Sequence, residues 1–232
     1  MTLRQPRDEV ALREAIVATA RGMNALGINR GKSGNVSARL RNADIDGYLI
    51  TPTGVPYDAT SADDLVAMRL DGGEETARGP LRPSSEWRFH RDLYATRTDV
   101  GAVVHTHSPF ATTLACLDRG IPPFHYMVAT AGGKDIRCAH YATFGTQELS
   151  DHALAALDGR RACLLSHHGL IAVGATLEDA LALAVETETL AEMYWRALQI
   201  GEPTLLPDAE MARVLDKFHT YGQSRRPDDH DV

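Results

Sequence analysis

Two histidines one residue apart, His105 and His107 in the run Ala102-Val103-Val104-His105-Thr106-His107-Ser108-Pro109, carry the clearest chemical signal in the chain. The run is apolar and β-branched, which favours a strand, and on a strand the side chains at i and i+2 leave the same face. Two imidazoles so placed can hold one metal ion. A second run, Ala162-Cys163-Leu164-Leu165-Ser166-His167-His168-Gly169-Leu170, brings another candidate ligand. Read as a strand, its adjacent histidines face opposite sides, so one of His167 and His168 joins the site and the other packs or hydrogen-bonds behind it. Three neutral imidazoles with one open position describe a catalytic metal site rather than a structural one.

Three loops offer small, amide-rich or hydroxyl-bearing residues: Gly34-Asn35, Thr53-Gly54 and Ser84-Ser85. Backbone N–H groups at turns and at a helix start bind phosphate without a basic patch, although each pair is also an ordinary turn sequence. Lys32 either adds a charge to such a pocket or is a solvated loop lysine. Glu86 follows Ser85 in the first turn of a helix, where an acid offsets the macrodipole; beside a metal it would be a fourth ligand or a general base. Tyr126, in Phe124-His125-Tyr126-Met127, is a proton donor or an amphipathic rim residue, and spacing leaves both open.

These residues need a scaffold. Leu12, Ile16, Ala20 and Met23 follow helical spacing from Arg7 to about Met23, with Gly27 as a stop. Gly31 to Arg39 reads as a glycine-bearing turn entering a short alternating segment, and Gly47 to Gly54 as a strand ended by a Pro/Gly turn. A helix starts at Ser84-Ser85-Glu86 and carries Trp87, His90, Leu93 and Tyr94. The His105 strand follows, then helices over Pro109–Leu117 and Gln147–Leu157. Arg160–Val173 reads as the second histidine strand. A long helix runs from about Leu177 to Leu198, with Leu181, Ala184, Ala191 and Tyr194 on one stripe. The polar residues 222–232 read as a mobile tail.

The 232 residues are 44% hydrophobic and 24% charged, the composition of one globular domain spanning residues 1–232. A chain of this size buries roughly 70–75% of its unfolded-state surface. No apolar run approaches the ~20 residues of a membrane span, and the N-terminus lacks a signal-peptide core, so a cytoplasmic protein is expected. Cys116, Cys138 and Cys163 are odd in number, widely spaced and set among apolar or small residues, which predicts buried free thiols. A net charge of −7 argues against nucleic-acid or anionic-membrane partners. An anionic small substrate would need local donors.

The ordered motifs Gly34-Asn35-Val36-Ser37, Leu49-Ile50-Thr51-Pro52-Thr53-Gly54-Val55-Pro56-Tyr57, Pro83-Ser84-Ser85-Glu86-Trp87-Arg88-Phe89-His90, Ala102-Val103-Val104-His105-Thr106-His107, His125-Tyr126-Met127, Tyr141-Ala142-Thr143-Phe144-Gly145-Thr146 and His167-His168-Gly169-Leu170-Ile171-Ala172 span nearly the whole chain. On these residues it resembles the class II aldolase/adducin-like superfamily and, within it, the L-fuculose-phosphate aldolases. The resemblance implies an α/β fold of a single domain with a central, mostly antiparallel sheet flanked by helices, and a homotetramer with active sites at subunit contacts. It implies one divalent metal per subunit, zinc before manganese, cobalt or iron, held by His105, His107 and His168 with Glu86 as a resting-state ligand. It further implies that Gly34, Asn35, Thr53, Gly54, Ser84 and Ser85 bind the substrate phosphate. Tyr126 would reach in from a neighbouring subunit to serve the aldehyde end, with Phe144 and Tyr221 shaping that side.

The activity so implied is reversible retro-aldol cleavage of a ketose 1-phosphate, such as L-fuculose 1-phosphate, to dihydroxyacetone phosphate and an aldehyde, without a lysine Schiff base. The same chemistry on 5-deoxyribulose 1-phosphate or 5-methylthioribulose 1-phosphate, a pentulose-phosphate 4-epimerase, and a metal-free adducin-like module are the alternatives. Thr106 stands where an asparagine is familiar, and Lys32-Ser33 where smaller residues are. These departures leave the metal ligands intact and bear on the sugar.

Overall fold

The computed structural model describes residues 8–41 and 46–220, so Tyr221 and the tail expected to be mobile lie outside the described residues. Seven strands, β1 (Asn35–Arg41), β2 (Asp46–Ile50), β3 (Val66–Arg69), β4 (Ala102–Thr106), β5 (Arg137–Ala139), β6 (Ala162–Leu165) and β7 (Gly169–Gly174), form one sheet in the order β3-β2-β1-β4-β7-β6-β5. Every pairing is antiparallel except that of β5 with β6. Among the described residues six α-helices flank it: α1 (Glu9–Ala25), α2 (Trp87–Thr96), α3 (Pro109–Ala115), α4 (Gln147–Ala156), α5 (Leu177–Ile200) and α6 (Asp208–Thr220).

The histidine strand β4 lies at the centre of the sheet, and all five of its residues are buried. A strand covered on both faces reads as a continuous apolar run, which is what Ala102-Val103-Val104 supplies. On one face Val36, Ala38, Val104, Leu164 and Ala172 pack with Leu12 and Ile16 of α1 and Ala184 and Ala191 of α5. On the other, Tyr48, Val103, Ile171 and Val173 meet Trp87, Phe89 and Leu93 of α2 and Leu149 and Ala153 of α4. His105 is in phase with Val103 and therefore points into the α2 layer. Its ring meets Phe89 edge-on, with centroids 5.6 Å apart.

The expected helices and the central strands are present, with three differences. The segment expected as one strand over 160–173 is a hairpin: β6 and β7 are joined by a turn through Ser166, His167 and His168, closed by the His168 N–H donating to the Leu165 carbonyl at 3.0 Å. His167 sits at φ 53°, a left-handed conformation that no strand contains. The two histidines are thus separated by the turn, not by strand alternation. Strands β3 and β5, of four and three residues, are too short to show a period, and α6 is a further element, on which Met211, Val214, Leu215 and Phe218 repeat at helical spacing. The three cysteines are free as expected, but only Cys163 is buried; Cys138 is half-buried and Cys116 exposed. Among the described residues no helix is long and apolar enough to cross a membrane.

One buried acid fixes the helix that follows the histidine strand. Glu188 of α5, 8% exposed, accepts hydrogen bonds from the N–H groups of Phe110 and Ala111, each at 2.8 Å, and so caps the first turn of α3 from outside the helix. Burial raises its pKa while those two donors oppose the rise. Glu188→Ala strands both donors in the interior and is expected to cost about 1–3 kcal/mol, or roughly 2–4 °C of melting temperature per kcal/mol for a chain of this size. A thermal melt with the parent's midpoint would show that the tie contributes nothing.

Candidate metal centre and substrate cleft

The pairing of β1 with β4 sets Asn35 directly opposite His105. Glu86, at the N-cap of α2, descends onto that pair; it stands one position before the helix rather than in its first turn. His168 arrives from the β6–β7 turn. One ligand atom each from Glu86, His105, His107 and His168 fall within 4.8 Å of one another. Glu86 Oε2 lies 3.1 Å from His105 Nε2, Glu86 Oε1 lies 3.2 Å from His168 Nε2, and His107 Nε2 lies 3.1 Å from His105 Nε2. Gly169 makes this crowding possible, because a Cβ there would collide with the Thr106 carbonyl and press on the rings of His105 and His107.

The donor set fits a divalent cation. His105 Nδ1 lies 2.8 Å from the Leu170 carbonyl, which can only accept, so the hydrogen is on Nδ1 and Nε2 presents a lone pair to the cluster. Burial lowers the pKa of His107 to about 3 and that of His168 to about 4, so both rings are neutral. Glu86 is only 6% exposed, and its Oε1 is buried without a hydrogen-bond partner. Burial alone would raise its pKa, but His105, and behind it His168 and His107, outweigh burial and hold the carboxyl at about 2. A carboxylate oxygen and imidazole lone pairs converging on one point repel one another unless a positive charge lies between them. A proton can stand in for it: burial lowers the pKa of His105, Glu86 outweighs burial, and the net direction is up.

Beneath the donors a polar chain enters the sheet. Asn35 Nδ2 donates to Glu86 Oε2 at 3.0 Å and to Ser84 Oγ at 2.9 Å, which uses both of its amide hydrogens. Its Oδ1 lies 2.5 Å from His90 Nε2, while His90 Nδ1 lies 2.6 Å from Ser37 Oγ and Ser37 Oγ 2.8 Å from the Tyr94 hydroxyl.

Above the donors lies a cleft of about 310 Å³ whose lining includes Gly34, Asn35, Thr53, Gly54, Ser84, Ser85, Glu86, His107 and His168. The loops after β2 and before α2 are zipped together, Thr53 N–H to the Arg82 carbonyl at 3.1 Å and Ser84 N–H to the Thr51 carbonyl at 3.1 Å. That ladder consumes the amides of Thr53 and Ser84. Thr53, Gly54 and Ser85 line the cleft beside that ladder. Gly34 stands at φ +68° with the His105 carbonyl where a Cβ would be. Lys32 also lines the cleft, its one cationic lysine or arginine among the described residues, whereas Thr106 alternates away from it.

The far rim is Tyr141, Ala142, Phe144 and His167. Arg88 holds the Phe144 loop to α2 by donating to the Gly145 carbonyl at 2.5 Å. Tyr126 is not brought to this cleft within the chain: it is half-exposed on a 3₁₀ turn, in a separate groove with Phe124, Leu206 and Phe218. Asn29 and Tyr57 were missed by sequence reasoning. Asn29 Oδ1 accepts from the His107 N–H at 3.3 Å while its Nδ2 donates to the Ser33 carbonyl at 2.7 Å, and the buried Tyr57 hydroxyl lies 2.8 Å from the Gly34 carbonyl. A buried asparagine beside a glycine loop was the available signal.

Residues 14–195 match the family model described as Class II Aldolase and Adducin N-terminal domain. The chain is 58% identical over 219 residues, 94% of its length and 96% of the relative's, to the 5-methylthioribulose-1-phosphate/5-deoxyribulose-1-phosphate aldolase of Rhodospirillum rubrum. It is 50% identical to the L-fuculose phosphate aldolase of Escherichia coli strain K12, covering 91% of this chain and 95% of that one. A solved L-fuculose 1-phosphate aldolase superposes with a TM-score of 0.85 at 37% identity, over 90% of this chain and 96% of its own. By sequence, fold and donor set, the chain belongs to the class II aldolase and adducin N-terminal domain family, among its aldolases.

Proposed function

We propose that the protein cleaves a ketose 1-phosphate reversibly to dihydroxyacetone phosphate and an aldehyde, using one divalent ion, zinc first, held by His105, His107, His168 and Glu86. The observation that carries this reading is the unpartnered Glu86 Oε1 among imidazole lone pairs at the floor of a hydroxyl-lined cleft. An ion bound there supplies a Lewis acid for the negative charge that develops on the carbonyl side as the C3–C4 bond breaks. Glu86, a ligand only in the resting site, takes the C3 proton in the condensation direction, and in cleavage it returns to C3 a proton equivalent to the one that leaves the C4 hydroxyl. The Thr53, Gly54, Ser84 and Ser85 loops grip the phosphate together with Gly34, and Asn35 joins that grip to the carboxylate. Tyr126, supplied by a neighbouring subunit of a homotetramer, serves the C4 oxygen. Phe144 shapes the aldehyde side, and Tyr221 is assigned there on resemblance alone.

The rim of Tyr141, Ala142 and Phe144 suits an aldehyde half ending in an apolar group, a feature common to all three candidate sugars. The higher identity to the R. rubrum relative is what puts 5-methylthioribulose 1-phosphate and 5-deoxyribulose 1-phosphate ahead of L-fuculose 1-phosphate.

A panel of these three sugars and their unphosphorylated forms, scored for dihydroxyacetone phosphate or dihydroxyacetone, tests the reading. Release from the phosphorylated forms is expected, with Gly54→Val eroding the preference for phosphate. No release from any of them, or equal losses on both forms in the variant, contradicts it. Glu86→Gln keeps the shape and removes the base, so kcat should fall roughly 10²–10⁴-fold while the histidines retain metal. Parental turnover in that variant would remove Glu86 from the chemistry.

A further inference from the structure

The polar chain beneath Glu86 has a direction that can be worked out from donors and acceptors. Asn35 Nδ2 faces two acceptors, Glu86 Oε2 and Ser84 Oγ, and the Ser84 oxygen also accepts from the Glu86 N–H at 3.3 Å. The other end of the carboxamide is therefore its oxygen, which cannot donate, so the hydrogen it shares with His90 belongs to Nε2. His90 is fully buried, and burial lowers its pKa to about 3, so the ring is neutral and Nδ1 bears a lone pair. That lone pair takes the hydroxyl hydrogen of Ser37, whose oxygen in turn accepts from Tyr94. Each hydrogen has one place to go. Asn35, Ser37, His90 and Tyr94 are all at most 2% exposed, so water does not compete for these bonds.

The elements explain why this chain exists. Asn35 and Ser37 alternate onto the α2 face of β1, and His90 and Tyr94 lie four residues apart on the inner side of α2. His90 stacks on Phe89, centroids 4.5 Å apart, and Phe89 in turn meets His105. The chain thus couples the start of α2 to its own middle through the sheet.

We propose that His90 is a positioning residue for the proton-carrying carboxylate: anchored by Ser37 and Tyr94 as the Nε2–H tautomer, it fixes the Asn35 carboxamide with its amino group toward Glu86. Without that anchor Asn35 can rotate its oxygen toward the carboxylate, placing two acceptors face to face and displacing Glu86 from the donors it aligns with. The inference rests on the role given to Glu86 above. His90 touches neither the metal ligands' donor atoms nor the cleft, so its effect falls on turnover rather than on metal or phosphate binding.

The test compares metal-loaded His90→Phe and His90→Gln by kcat, KM and metal content, with ¹⁵N NMR of histidine-labelled parent protein. His90→Phe removes the donor, and kcat should fall roughly 10–100-fold with KM within about threefold and metal retained. His90→Gln returns an N–H near the Nε2 position and should recover most of the loss. The parent should show an Nε2–H resonance that disappears in His90→Phe. Parental kcat in His90→Phe, equal losses in both variants, or an Nδ1–H form of His90 overturns the proposal. Should His90→Phe not fold, Tyr94→Phe loosens the far end of the chain: a lower kcat at unchanged KM supports the proposal, and parental kcat overturns it. Loss in Glu86→Gln with none in His90→Phe defeats the positioning role alone, whereas parental turnover in Glu86→Gln defeats the reading beneath it.

Discussion

A carboxylate enclosed by three imidazoles is the constraint on which the rest of this structure depends. Removing an ion from water costs several kcal/mol even after the protein relaxes, and Glu86 is only 6% exposed. What makes the arrangement tolerable is a positive charge at the meeting point of its oxygens with the ring nitrogens, a metal ion or, failing that, a proton on His105. The surrounding features serve that point. The β1–β4 register brings Asn35 against His105 and hence against the carboxylate, Gly169 lets the rings crowd together, and the β6–β7 turn delivers His168 from the far side of β4.

The same economy of charge governs the cleft. The protein carries a net charge of −7, and the cleft offers hydroxyls, turn segments and a helix start with a single lysine, Lys32, rather than a basic surface; on the proposed function these are what a phosphorylated substrate would meet. The zipper between the Thr51–Thr53 and Arg82–Ser84 segments fixes these groups in advance, as the proposed grip on an anion requires. Asn35 joins the two halves of the site, one amide hydrogen on Ser84 in the loop before α2 and the other on the Glu86 carboxylate. The loop before α2 and the carboxylate are therefore tied through one side chain.

The sequence made the centre legible because its signals are local. The i, i+2 histidines on a β-branched run announce one face of a strand, and Ser84-Ser85-Glu86 announces a helix start; both are set by backbone geometry within a few residues. The hairpin at Ser166–His168 is not legible in the sequence, because continuous apolar residues on both sides look the same whether the chain runs straight or reverses. Only the left-handed His167 marks the reversal. Asn29, Tyr57, Ser37 and Tyr94 owe their roles to pairings of 23 to 78 residues in sequence separation, which no periodicity encodes. Tyr126 shows the opposite case: the motif points to it, yet within one chain it lies in a separate groove.

The most direct measurement of the central claim is X-ray absorption on the zinc-loaded protein. Three imidazole nitrogens at about 2.0–2.1 Å and one carboxylate or water oxygen are expected, with one nitrogen lost in His168→Ala and none in His167→Ala. A sulfur ligand, fewer than three imidazoles in the parent, or loss of a nitrogen in His167→Ala instead of His168→Ala would contradict the account.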